Sequence, residues 1–297
     1  MEGNILEKAF RETPMELYDL FLRDYLTAIY EEWKKIEIED WNKYAYLLID
    51  KFAIHSSSLY FMANGIIEHN LSGEEYRLNA YDPFSVNTVM RSIIETYITF
   101  NHIFVEPPSQ EEKRMRFLLW QIDSLIQKKK YGLTDNDMEG TSVILEKNEM
   151  MLQDAGIELK NNPIFKQFLP SQQLKLYNEN TQKVAWRFTL KDNRIKLLQI
   201  TELISHVYGL KMMRNFYKYS SVHVHSNYAA IEELERIRGK VVPDIHKDAP
   251  IHLAIITICK VIYDICIISK EANKGLKKIP PIVIEFIAEV GKGRDPS

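Results

Sequence analysis

Glycine is scarce in this chain of 297 residues: there are eleven, where average usage of about 7% would supply roughly 20. Tight turns between short strands lean on glycine, so the shortage argues against a strand-rich fold and for long helices. Cysteine is scarcer, at two. Cys259 and Cys266 lie seven apart on one apolar helical pattern, which holds their Cα atoms about 10 Å apart and excludes a disulfide between them. Two free thiols fit a reducing compartment. Neither sign of charge dominates: 38 Lys and Arg stand against 41 Asp and Glu, for a net charge of −3. A chain so balanced has no overall pull towards nucleic acid or an anionic membrane, so a polyanion site has to be a local patch.

Other absences narrow the field further. There is no glycine-rich phosphate loop, and no cofactor is expected. His223 and His225 form a His-x-His pair, but no further ligand follows at convincing spacing, so no metal is expected either. There is no repeat of fixed period and no low-complexity tract. The longest apolar run, "IHLAIITICKVIYDICII", is interrupted by Lys260 and Asp264 at i and i+4. That spacing reads as a solvated stripe on a core helix rather than a membrane span. The opening "MEGNILEKAFRE" is charged throughout and lacks the apolar region of a signal peptide. A cytoplasmic protein without a membrane partner is the expectation.

What is present is helix punctuation. In "TPME", Thr13 reads as an N-cap, Pro14 as the first helical residue and Glu16 as the close of a capping box, opening a helix to about Lys35. Asp40 should cap a second helix that runs past Tyr60 to near His69. "DPFS" opens a third, which Pro107 and Pro108 end. In "SQEE", Ser109 caps a fourth helix while Glu112 reaches back, and Gly132 follows it as a C′ residue. The lysines 128–130 read as satisfying that helix's negative end, with a nucleic-acid patch as the competing reading. From about 157 to 192 the periodicity degrades into short helical pieces and loops. It returns in two helices meeting near Gly209, a helix in "NYAAIEELERIR", a long one from Pro250 to about Asn273, and a final one ended by Gly291. Period-2 alternation is confined to "VHVHS" and "KVAWRFTL". The pattern predicts an all-α fold: one domain over 1–297, an antiparallel helical bundle with long helices and an irregular middle segment.

Two stretches stand out within that frame. On the third helix, Arg91 and Glu95 are the only charged residues between Asp82 and Glu106. At 100° per residue Val86, Val89, Met90, Ile93, Tyr97, Phe100 and Phe104 share one side, and Arg91, Glu95 and His102 fall within about 40° of one another on the other. Arginine before glutamate is the less favourable order for an isolated pair, and Phe84, Ile94 and Ile98 wall the polar stripe. A surface pair, a buried structural pair and a functional pair all remain open. The second stretch, "MRNFYKYSSVHVHSNY", gathers hydroxyls, aromatics and two histidines. Lys211, Arg214 and Lys218 recur at i, i+3 and i+7, and with Tyr219 among the interleaved aromatics they could grip a phosphate backbone and stack bases. A solvated basic face beside an aromatic core face is the competing reading.

Together the two stretches resemble a family of bacterial all-helical proteins that carry an R-S-x-x-E-x-Y-like helix early and an S-x-x-V-H-like turn late. Here "RSIIETY" supplies Arg91, Glu95 and Tyr97, and "SVHVH" supplies Ser221 and His225, with His223 at the histidine position in another register. That family in turn looks like the HEPN group of helical bundles, many of which are metal-independent ribonucleases of phage defence and toxin–antitoxin systems. Their arginine and histidine lie close together on one helix. Here eight residues separate Arg214 from His223, and ten separate it from His225. The resemblance therefore implies convergence from different helices. His225 would act as general acid or base, Arg91 would stabilise phosphate charge, Glu95 would orient one of them, and Ser221 would hold the phosphate. The alternative expectation is a non-enzymatic module that dimerises or binds a partner protein, with Arg91, Glu95 and His225 as a buried network fixing helix register.

Overall fold

The computed structural model describes residues 3–64, 66–69, 72, 75–78, 82–130, 140–191, 194–224, 227–237 and 244–293. The expected C′ residue Gly132 and the candidate His225 lie outside them. The fold is all-α, and the strands among the described residues form three two-stranded antiparallel hairpins. The chain divides into two compact units, one made of Met1–Asn101 with Ile204–Ser297 and the other of His102–Leu203.

The first unit opens with α1 (Gly3–Glu12) and α2 (Pro14–Leu20). Pro14 takes the first helical turn, as its fixed φ favours, but Thr13 makes no side-chain cap. Its backbone N–H donates to the Ala9 carbonyl at 2.9 Å, and its hydroxyl reaches the same oxygen at 3.4 Å, so Thr13 closes the end of α1. A π-helical turn (Phe21–Leu26) leads into α3 (Thr27–Trp33). Next comes α4 (Lys43–Asn64), which stops short of His69. The β-branched pair after Gly65 enters β1 (Ile66–His69), which pairs with β2 (Glu75–Leu78). In α5 (Pro83–Phe100) the Asp82 carboxylate accepts from the backbone N–H groups of Phe84 and Ser85, at 2.9 and 3.2 Å. That is the expected N-cap.

The second unit contains its own core. A π-helical turn (Asn101–Val105) breaks the regular 100° stepping at the end of α5. The grouping of His102 with Arg91 and Glu95 rested on that stepping, so it lapses. In α6 (Gln110–Lys129), Ser109 accepts from the Glu112 N–H at 3.2 Å. The Glu112 side chain does not close the box; it binds Arg116. There follow α7 (Thr141–Asn161), α8 (Pro163–Gln167), α9 (Pro170–Leu176), the pair β3 (Tyr177–Asn178) and β4 (Lys183–Val184), and the pair β5 (Phe188–Lys191) and β6 (Arg194–Leu197). Leu118, Leu119 and Ile122 of α6 meet Leu152, Ala155 and Leu159 of α7, and Phe165, Phe168 and Phe188 close the cluster. Residues 194–197, where the returning periodicity pointed to a helix, form β6 instead.

Next come α10 (Ile200–Tyr208) and α11 (Lys211–Val224). They meet at Gly209, whose φ of 70° is the left-handed conformation glycine tolerates. Residues 222–224 of "VHVHS" belong to α11, so there helix packing overrides the short alternation, and the other two lie outside the described residues. The remainder is α12 (Tyr228–Ile237), α13 (Asp244–Ile268), a 3₁₀ stretch (Ala272–Lys278) and α14 (Pro281–Gly291). At Gly291 any side chain would collide with the Tyr263 ring, which explains glycine where α14 closes on α13.

The largest correction concerns α13. Its segment Asp248–Ile268 is long and apolar enough to cross a membrane, and 72% of it is buried inside the protein. Lys260 and Asp264 are not a solvated stripe, for they are only 3% and 6% exposed. One Asp264 oxygen accepts from the Tyr97 hydroxyl at 2.9 Å and the Asn101 amide at 2.7 Å. The Lys260 ammonium donates to the Gly291 carbonyl at 3.3 Å. Burial pushes the Asp264 carboxyl up to about 6, opposed by those two hydrogen bonds and by Lys260. Cross-helix partners, invisible in a single helix's pattern, keep these polar groups inside. Cys259 is buried and Cys266 half-buried, both as free thiols, and burial raises both thiol pKa values, Cys266 to about 12. Neither is a ready nucleophile.

Candidate functional site

The Arg91–Glu95 pair sits where α5 packs on α11, with the two helices antiparallel: Phe84 meets His223, and Glu95 meets Tyr217 further along. Most of the rest of α5 is buried, and this pair carries the only two formal charges of the helix. Arg91 Nε donates to Glu95 Oε1 at 2.9 Å. The Tyr217 hydroxyl donates to the same oxygen at 2.6 Å. Arg91 Nη1 donates to Ser221 Oγ at 3.3 Å, and the Ser221 hydroxyl in turn donates to the Tyr217 carbonyl at 2.9 Å. The guanidinium lies 4.7 Å from the centre of the Tyr217 ring, a cation–π distance.

The pair is neither fully buried nor a free surface pair, with side-chain exposures of 25% for Arg91 and 43% for Glu95. Burial works against the arginine's charge, but the hydrogen bond to Glu95 and the nearby Tyr217 and Glu95 charges outweigh it and raise its pKa. Burial, reinforced by Glu95, pushes the Tyr217 hydroxyl up to about 12. It therefore remains a neutral donor at physiological pH. Arginine, carboxylate, phenol and serine satisfy one another, which is the chemistry of a clasp between helices.

The structure thus brings together Arg91, Glu95 and Ser221 of the residues singled out from sequence. It adds Tyr217, which sequence reading left among the aromatics of "FYKYSS". His225 lies outside the described residues. His223 is buried against Phe84 and Tyr219, at ring distances of 5.6 and 4.6 Å. Its Nε2 is 3.5 Å from Glu233 of α12. Both ring nitrogens lack a hydrogen-bond partner among the described residues, so His223 does not join the Arg91 clasp. Burial lowers its pKa, and Glu233 opposes that effect. Lys211 and Lys218 are exposed and Arg214 is half-buried, along one side of α11. Tyr219 points away from that row: its hydroxyl donates to Glu233, 2.9 and 3.1 Å from the two carboxylate oxygens.

A second arginine cluster, unsuspected from sequence, lies inside the other unit. Arg116 donates through Nη2 to Glu112 at 2.6 Å, and through Nη1 to Glu106 at 2.7 Å and to the His102 carbonyl at 2.9 Å. The ring nitrogens of His102 face the Trp186 carbonyl at 3.0 Å and Glu106 at 2.8 Å. Burial keeps that imidazole below its ordinary pKa, although the hydrogen bond to Glu106 opposes it. Among the described residues no group of His, Cys, Asp and Glu could hold a metal ion. Comparison of the chain with family models, with curated proteins and with solved structures finds no match.

Proposed function

We infer that this chain is a non-enzymatic helical interaction module that pairs with a second copy of itself through α4. The observation that carries this reading is an apolar stripe along that helix. Leu47, Ile54 and Phe61 recur at seven-residue steps and are 52%, 66% and 63% exposed. Seven-residue spacing keeps side chains on one face over four turns, and such a seam suits pairing with a second helix. Single exposed apolar residues are ordinary on a soluble protein, but these three share one face of a long helix, with Lys51 and Ser58 between them. A symmetric seam is complementary to itself, as the commonest homodimers require. The opposite side of α4 packs on α5, and α5 is tied to α11 by the Arg91–Glu95–Tyr217–Ser221 clasp. In this reading the clasp holds the platform that presents the stripe.

Light scattering over a concentration series tests the reading. The wild-type chain should approach twice its monomer mass, and Ile54→Glu should hold it at the monomer mass with an unchanged circular-dichroism spectrum. A wild type that stays monomeric up to about 100 μM, a range in which specific homodimers are normally populated, would overturn it.

A ribonuclease-like reading keeps one observation in its favour. Arg91 retains some exposure beside the basic row of Lys211, Arg214 and Lys218, and such a row could track an RNA backbone. Its signature would be metal-independent RNA cleavage that depends on Arg91 and His225.

A further inference from the structure

On the other side of α11 from the clasp lies a cavity of about 810 Å³. It is bounded by the start of α5, the Met212–Tyr219 side of α11, Glu233 of α12 and the 249–253 turn of α13. The size is that of a pocket for a small organic molecule. Its walls are mainly apolar, from Pro83, Met212, Phe216, Pro250 and Leu253. The Phe216 and Tyr219 rings stand 6.2 Å apart along one wall.

Among the described residues Asn87, Asn215, Tyr219, His252 and Glu233 break this apolar lining, and Glu233 is the one carboxylate. Asn87 is 3% exposed. Its amide nitrogen donates to the Pro83 carbonyl at 2.7 Å, which fixes which end of the amide is which. Its Oδ1, buried, has no hydrogen-bond partner among the described residues. A buried acceptor left without a donor is costly, so a ligand N–H that reached it from the cavity would be favoured. The second acceptor is Glu233, oriented by the Tyr219 hydroxyl. Among the described residues no lysine or arginine lines the cavity, although Arg236, one turn along α12, does act on the Tyr219 hydroxyl. His252 is already engaged, its Nε2 2.6 Å from the Phe10 carbonyl.

We propose that this cavity binds a small organic amine with an apolar body, its ammonium group held by Glu233 and an N–H donated to Asn87 Oδ1. The apolar body fills the space between Met212, Phe216 and Leu253. The Phe216 and Tyr219 rings add their faces to the attraction for a cation. A carboxylate ligand would meet Glu233 as a like charge and would leave Asn87 Oδ1 unpaired, so the site discriminates by the sign and donor capacity of the head group.

Calorimetric titration of the full chain with three matched probes tests this: 4-phenylbutylamine, 4-phenylbutan-1-ol and 4-phenylbutanoate. The amine should saturate one site per chain and bind at least about tenfold more tightly than the alcohol, as one charge-assisted hydrogen bond allows. The carboxylate should bind most weakly. Glu233→Gln should bring the amine down to the level of the alcohol. Met212→Trp, at an exposed position on the rim, should block all binding without touching the fold. Three outcomes would overturn the proposal: no saturable binding of the amine, binding of all three probes alike or of the carboxylate best, and amine binding unchanged in Met212→Trp.

Discussion

Two arginine clusters of similar composition behave as opposites, one in each unit. The Arg91–Glu95 pair stands out in the sequence because its surroundings are apolar, yet its carboxylate is nearly half exposed. The Arg116–Glu112 pair hides in the charged run "EEKRMR", yet its side chains are 3% and 7% exposed. The difference teaches that local apolarity does not bury a charge. Burial comes from what packs over it. At Arg116 this is Phe188, whose ring centre lies 5.1 Å from the guanidinium, together with the buried ring of His102. At Arg91 a tyrosine ring covers one face of the guanidinium, and the pair keeps side-chain exposures of 25% and 43%.

The contrast predicts a hierarchy of costs. Arg116→Ala should be the most damaging, by about 3–5 kcal/mol in denaturant unfolding, because Glu112 is left buried without its cation. A loss below about 1 kcal/mol, the range of surface pairs, would erase the contrast. Asp264→Ala should follow at about 2–4 kcal/mol, because the Tyr97 hydroxyl, the Asn101 amide and the Lys260 ammonium all lose their compensation inside the first unit. Its crystal structure or hydrogen exchange should show the damage centred on α5 and α13. Arg91→Ala should cost only about 1 kcal/mol, since water can solvate the Glu95 carboxylate that remains. A cost as large as that of Arg116→Ala would mean that the clasp is sealed from solvent.

The smallest expected effect is one of pH. The folded-state pKa of His102 is lowered from the ordinary 6.5. Above 6.5 both the folded and the unfolded chain keep this imidazole neutral, and the native contacts are fully present. As pH falls below that value the unfolded chain takes up a proton that the buried ring refuses, so unfolding gains. Stability should therefore decline as pH drops from about 6.5 towards the folded-state pKa, and His102→Gln should flatten that decline. An equal slope in wild type and variant would show that His102 does not contribute to it.

Much of the architecture was legible in the sequence. Glycine scarcity, Pro14, the Asp82 and Ser109 caps and Gly209 each act within a few residues, so their signals survive without tertiary information. Arg91, Glu95 and Ser221 do meet, but the apolar surroundings of the pair left its exposure open, and Ser221 was singled out only through the resemblance. Tyr217 was missed because an aromatic at helical spacing reads as core until its hydroxyl is seen. Lys260 and Asp264 were misread because i,i+4 charges look alike whether water or Tyr97 and Asn101 satisfy them. Asn87 and Glu233 carried no signal in sequence at all; their roles come from a cavity that four helices enclose.

The proposed non-enzymatic reading takes the α5–α11 clasp to hold helices rather than to perform chemistry. RNA cleavage by the full chain in excess chelator, wild type beside Arg91→Ala, tests it most directly. Neither protein should cleave above the buffer background. Cleavage by the wild type that Arg91→Ala abolishes, with the fold intact, would contradict it.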